Sequence, residues 1–160
     1  MSAATLLAML KKHPFVEEFQ PEHIDKLRSL AREVSFAPDQ VIFREGDDTH
    51  DFYLISKGRV ALEIEEPDNH VLRMQTLDAG DELGWSSVLM GRGKYFAARA
   101  LEPVEALAFD GPTLFDACRK DPGFGFALMY RMLGVVSERL QATRLQLHDM
   151  HSLKAKRAGT

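Results

Sequence analysis

The sequence predicts a mainly β domain with helices at both ends, and three observations predict it. Between Val34 and Asp110, short runs rich in β-branched and aromatic residues alternate with turn residues. Before them apolar residues recur at helical spacing, and after them a helical pattern returns for nearly three heptads. The 160 residues suit one domain, since a core of this length buries roughly 70% of the surface that the unfolded chain exposes.

Leu6, Leu7, Met9 and Leu10 fit one helix and Ile24, Leu27, Leu30 and Ala31 a second, with Pro14 between them. Pro21 suits the first turn of the second helix, where its missing N–H forfeits no hydrogen bond. Residues 1–33 are therefore expected to be helices packed on the β segment. The runs VSF, VIF, FYLIS, RVALEIE and VLRMQTL follow, separated by APDQ, REGDDTHD, KG and EPDNH. These connections are too short for crossover helices, so the strands of residues 34–111 are expected to pair antiparallel and close into a barrel or sandwich. ALEPVEALAFD, residues 100–110, adds strand material. Gly46 and Gly58 suit turns of positive φ, and Phe52, Leu54, Val60 and Leu62 alternate as one buried face.

PTLFDACRK reads as a short helix, and Asp121 with Pro122 supplies the N-cap and first-turn proline of a long one; together they span 112–151. Leu133, Val136, Leu140, Thr143, Leu147 and Met150 repeat in alternating steps of three and four, an a/d seam. The seam packs either on the chain's own barrel or on a second copy. Its narrowness and its length beyond a barrel of this size favour a homodimer. Residues 152–160, with Lys154, Lys156 and Arg157, read as a solvated, disordered basic tail.

A net charge of −4 with one basic cluster offers no broad surface to a phosphate backbone. No apolar run reaches the roughly 18 to 20 residues of a membrane span, and the lysines of MSAATLLAMLKK follow the apolar stretch, the reverse of a signal peptide. A cytoplasmic protein with neither membrane nor nucleic-acid partner is expected. The single cysteine, Cys118, excludes an intramolecular disulfide and a multi-cysteine metal site, and reads as a small core thiol. The histidines form no His-x-His pair, and no GxSxG, Walker or dinucleotide fingerprint occurs. The expectation is a non-enzyme with no metal and no cofactor.

The order of elements, and the stretch VIFREGDDTHDFYLISKGRVAL within it, resembles the cyclic-nucleotide-binding domain family over about residues 20–150. Ile42, Phe43, Gly46, Asp47, Phe52, Tyr53, Ile55, Gly58 and Val60 match the family's strand and turn pattern. AGDELGWSS resembles the entry to the family's phosphate-binding cassette, and ARALEP the strand that leaves it. The resemblance implies a double-stranded β-helix, or jelly-roll, barrel and a regulatory, ligand-sensing role. Family members hold the cyclic phosphate by N–H groups at a short helix start, an arginine and a hydroxyl, and the ribose by a glutamate.

The N–H cradle carries over to Gly84, Ser86 and Ser87, in keeping with the orphan donors of a helix start. The glutamate position falls on Trp85, the arginine position on Lys94, the hydroxyl position on Tyr95 and the next, small position on Phe96. Lys94 can neutralise a phosphate as a point charge but lacks the bidentate fork of arginine. Sliding the register would make Glu82 the carboxylate at the expense of the GDxxG match. Trp85 reads either as a core aromatic or as a stacking platform, Lys94 and Arg92 either as ligand contacts or as solvated charges, and Arg99 as pointing into the pocket or into solvent. A hydrogen bond to a charged group contributes about 1.5–3 kcal/mol, so cAMP or cGMP binding is expected to be altered or weaker by roughly two to four decades. The expected occupant is a cyclic nucleotide or another small anionic ligand. The competing readings are a ligand-free dimerisation or adaptor module with an unidentified protein partner, and a transcription regulator cut short of its helix-turn-helix domain. The end at Thr160 makes a free-standing domain the expectation.

Overall fold

The structure, a computed structural model, describes residues 2–89 and 96–159. Helices α1 (Ala3–Lys12) and α2 (Pro21–Leu30) open the chain where the apolar spacing predicts them. The Ser2 hydroxyl caps α1 by accepting the Thr5 N–H at 3.2 Å. Between the helices lies a 3₁₀ turn over Pro14–Val16 that apolar spacing does not reveal. His13 Nδ1 caps it by accepting the Phe15 N–H at 3.1 Å.

Among the described residues eight strands follow: β1 (Arg32–Phe36), β2 (Val41–Phe43), β3 (Asp51–Lys57), β4 (Val60–Glu65), β5 (Val71–Leu77), β6 (Glu82–Leu83), β7 (Ala97–Ala100) and β8 (Val104–Asp110). They form two four-stranded sheets, ordered β1-β8-β3-β6 and β2-β7-β4-β5, and every pairing is antiparallel. This is a jelly roll, but among the described residues the sheets do not join into a closed barrel. Gly46 and Gly58 take positive φ, 80° and 95°, as the turns require.

Two cores result. Tyr53, Ile55, Val60, Leu62, Ala98 and Ala106 meet between the sheets. Phe52, Leu54, Leu107 and Phe109, on the other face of the first sheet, meet Phe15, Leu27, Phe124 and Leu128 from the helical segments. The alternating set therefore divides, with Phe52 and Leu54 in one core and Val60 and Leu62 in the other. Helices cover the outer face of β3, so that strand is buried on both sides from Phe52 to Ile55.

Helix α4 (Gly111–Lys120) is capped by Asp110, which accepts the Thr113 N–H at 3.0 Å. Cys118 lies buried on it, and burial pushes its thiol up to about 11, the wrong direction for a nucleophile. Helix α5 (Pro122–Ala158) starts from Asp121, whose carboxylate accepts the Phe124 N–H at 3.2 Å. It continues through the basic stretch expected to be a disordered tail. Residues 152–158 contain neither glycine nor proline and are mostly strong helix formers, and Lys154, Lys156 and Arg157 are exposed on the last turns. No helix of the described residues is long and apolar enough to cross a membrane.

Candidate ligand-binding site

The chain leaves β6 through Gly84, at φ 81°, and enters the short helix α3 (Ser86–Leu89). The turn closes on itself, since the Ser87 and Val88 N–H groups donate to the carbonyls of Gly84 (3.0 Å) and Trp85 (3.1 Å). A cavity of about 250 Å³ opens beside it. Gly84, Trp85, Ser86 and Phe96 line one side, and Phe43, Leu62, Leu77 and Leu83 of the inter-sheet core lie behind them. Val136, Arg139, Leu140 and Thr143 of α5 line it as well, with Gln75 and Glu82.

Polar contacts fasten α5 across this opening. Gln75 Nε2 donates to Thr143 Oγ1 at 3.3 Å, the Gln146 amide donates to the Met74 carbonyl, and the Arg139 guanidinium donates to the Glu82 carbonyl. Arg131 Nη2 lies 3.5 Å from Glu82 Oε1. Glu82 is only 3% exposed. Burial pushes its carboxyl up to about 7 against the opposing pull of Arg131 and Arg139. Next to it, His13 Nε2 is 3.3 Å from the Asp81 carbonyl oxygen, and burial holds the imidazole below its ordinary value.

The structure brings four of the expected binding residues together at the cavity: Gly84, Trp85, Ser86 and Phe96. Lys94 and Tyr95, with Arg92, lie outside the described residues. Ser87 is buried but does not line the cavity; its carbonyl faces Gly111 at the start of α4. Arg99 is corrected outright. It alternates with Ala98 and Ala100, which face the inter-sheet core, and so turns to the opposite side of β7. There its Nε donates to Glu63 Oε1 at 3.1 Å and its Nη1 to the Asp39 carbonyl at 3.0 Å, a structural ion pair outside the cavity.

The seam divides as well. Val136, Leu140 and Thr143 line the chain's own cavity, but Leu140 is also 69% exposed, like Leu133, Leu147 and Met150 at 66%, 67% and 66%. Among the described residues, the charged members of the lining are Glu82 and Arg139. Glu82 was visible as the displaced carboxylate of a shifted register. Arg139 was missed, because an arginine flanking an apolar seam looks like any solvated base on a helix.

Comparison with known proteins agrees with this architecture. The model of the cyclic nucleotide-binding domain matches residues 33–121. Over 106 residues, 62% of the chain, the sequence is 28% identical to the cAMP/cGMP-dependent 3',5'-cAMP/cGMP phosphodiesterase B of Dictyostelium discoideum, and it spans 9% of that protein's length. Among solved structures, a cyclic nucleotide-binding domain from Methylobacillus flagellatus KT has a TM-score of 0.78 at 19% identity, with 92% of this chain and 83% of that one covered. The regulatory subunit of a cAMP-independent protein kinase A from Trypanosoma brucei has a TM-score of 0.71 at 17% identity, with 92% and 51% covered. At these identities the structural likeness shows the fold. With more than half of its length matched by the family model, this chain belongs to the cyclic nucleotide-binding domain family.

Proposed function

We propose that this chain is a non-enzymatic, ligand-sensing regulatory domain whose cavity binds cAMP and cGMP weakly and is shaped for a different small ligand. The observation that carries this reading is Trp85, an indole in the cavity lining at the position where family members place a ribose-binding glutamate. An apolar ring cannot accept the ribose hydroxyl, and the nearest carboxylate, Glu82, is buried beside Arg131. A ligand in this cavity would touch α3 on one side and α5 on the other, and so bias the position of the long helix.

Isothermal titration with cAMP and cGMP at low salt tests the reading. The expected dissociation constants are weaker than about 100 μM, and Lys94→Ala weakens them further. Micromolar or tighter binding of either nucleotide would sink the claim of altered selectivity. Unchanged affinity in Lys94→Ala would remove the role of Lys94.

The partner proposed for α5 is a second copy of the chain. Leu133, Leu140 and Leu147 recur one heptad apart and are 66%, 69% and 67% exposed, the spacing at which a like helix interdigitates. Sedimentation equilibrium is expected to give a dimer for the wild type and a monomer for Leu133→Glu/Leu147→Glu. A wild-type monomer at about 100 μM, weaker than any stable association in the cell requires, would end the dimer proposal.

A further inference from the structure

Arg139 stands in the wall of the cavity, drawn by the charges of Asp81, Glu82 and Glu138 but, among the described residues, in salt-bridge contact with none of them. Among the described residues its hydrogen bond is to the Glu82 backbone carbonyl, and no carboxylate oxygen lies within ion-pair reach of it. The Glu82 carboxylate is turned to Arg131 instead. Residues 90–95, which lie outside the described residues, read MGRGKY and contain no acid. Among the described residues, the lining apart from Glu82 and Arg139 consists of apolar side chains with Gln75, Ser86, Thr143 and Gly84 among them. A half-buried guanidinium in such a wall gains from an anion that reaches it directly, and burial depresses its proton affinity despite the acids around it.

Resting on the ligand-sensing reading above, we propose that Arg139 is the anion anchor of the cavity. Its ligand is a compact apolar monoanion, a carboxylate on an aromatic or aliphatic body that packs against Trp85, Phe96 and Leu140. At about 250 Å³ the cavity is below the usual range for drug-sized ligands, roughly 300–1,000 Å³. That favours a short body over a full nucleotide. The anchor sits on α5 and not on the loop of the family's phosphate cradle, so the ligand's charge would tie the helix directly to the barrel.

Trp85 is the single tryptophan of the chain, so its emission reports the cavity alone. The probes are phenylbutyrate, its neutral amide and cAMP, titrated into the full chain. Phenylbutyrate is expected to shift the emission saturably and to bind about 10- to 100-fold tighter than the amide, the range for one hydrogen-bonded charge. Arg139→Gln, whose amide can still donate to the Glu82 carbonyl, should bring the acid down to the affinity of the amide and leave the amide unchanged. Arg139→Lys should restore part of the preference. Equal binding of acid and amide, or an acid preference that survives Arg139→Gln, overturns the anchor. Saturable cAMP binding that is insensitive to Arg139→Gln, with no response to the acid, overturns the anchor and leaves the sensing domain standing. Silence from all three probes up to millimolar overturns both.

Discussion

Glu82→Gln is expected to be more stable than the wild type at pH 8 by about 3 kcal/mol, with the advantage vanishing near pH 4.5. The side chain is 4% exposed, and its carboxyl stands at about 7 in the folded protein against an ordinary value of 4.5. Between these values the folded chain holds a proton that the unfolded chain has lost, so stability falls as pH rises through the window. That raised value already contains the attraction of Arg131 and Arg139, which means that burial outweighs both. Glutamine reproduces the neutral form at every pH, and Arg131 keeps Glu138 at 4.0 Å as an outlet for its charge. His13 acts in the opposite sense. Its folded value lies below 6.5, so it removes stability as pH falls below that point and does so equally in both proteins. Chemical denaturation of wild type and variant from pH 4.5 to 8 should give curves that diverge on the alkaline side. Parallel curves would mean that Glu82 stays ionised throughout and that the arginines outweigh burial.

The same residue shows where sequence reasoning stops. Local signals were sufficient for α1, α2, β1 to β5, β8, α4 and the start of α5, because capping residues, prolines and β-branched runs act over a few positions. They could not find β6, which is two residues long, and β7, whose sequence AARA has none of the bulk that marks a strand, was placed only by the resemblance of ARALEP. Alternation showed that Phe52, Leu54, Val60 and Leu62 are buried but not that they face two different cores, since that depends on what covers each sheet. At the site, Gly84, Trp85, Ser86 and Phe96 were legible because they lie in one stretch between two recognisable motif ends. Arg139 meets the Glu82 carbonyl across 57 positions of sequence, and nothing local marks a pairing of that range. The heptad repeat likewise revealed an apolar stripe without naming its partner. Thr143 is tied to Gln75 of the same chain, whereas Leu147 is left to solvent.

Gly111→Ala is expected to cost about 3 kcal/mol, the upper end for a forced contact in a packed interior, and to disturb the cavity from behind. A Cβ built at Gly111 would stand 2.4 Å from the Ser87 carbonyl oxygen and 2.6 Å from that of His50. Both obstacles are backbone, so no rotamer change relieves them. The Gly111 N–H also donates to the His50 carbonyl at 2.6 Å, which keeps the glycine from retreating. Either α3 or the entry to β3 must move, and α3 carries the turn that places Trp85 and Ser86 in the cavity wall. For a domain of this size the melting temperature should fall by about 6–12 °C, together with a change in Trp85 emission. Gly134→Ala is the matched control. Its Cβ would meet only Arg131 Nη1 at 3.6 Å, an ordinary contact, and alanine inside a helix is favoured over glycine by about 0.5–1 kcal/mol. One added methyl group should therefore destabilise at position 111 and stabilise at position 134. A drop at 111 without any change in Trp85 emission would place the yielding on the His50 side of the contact and leave the cavity wall rigid. A drop with a shifted emission would show that the junction of α3 and α4 carries displacement from the helices to the site.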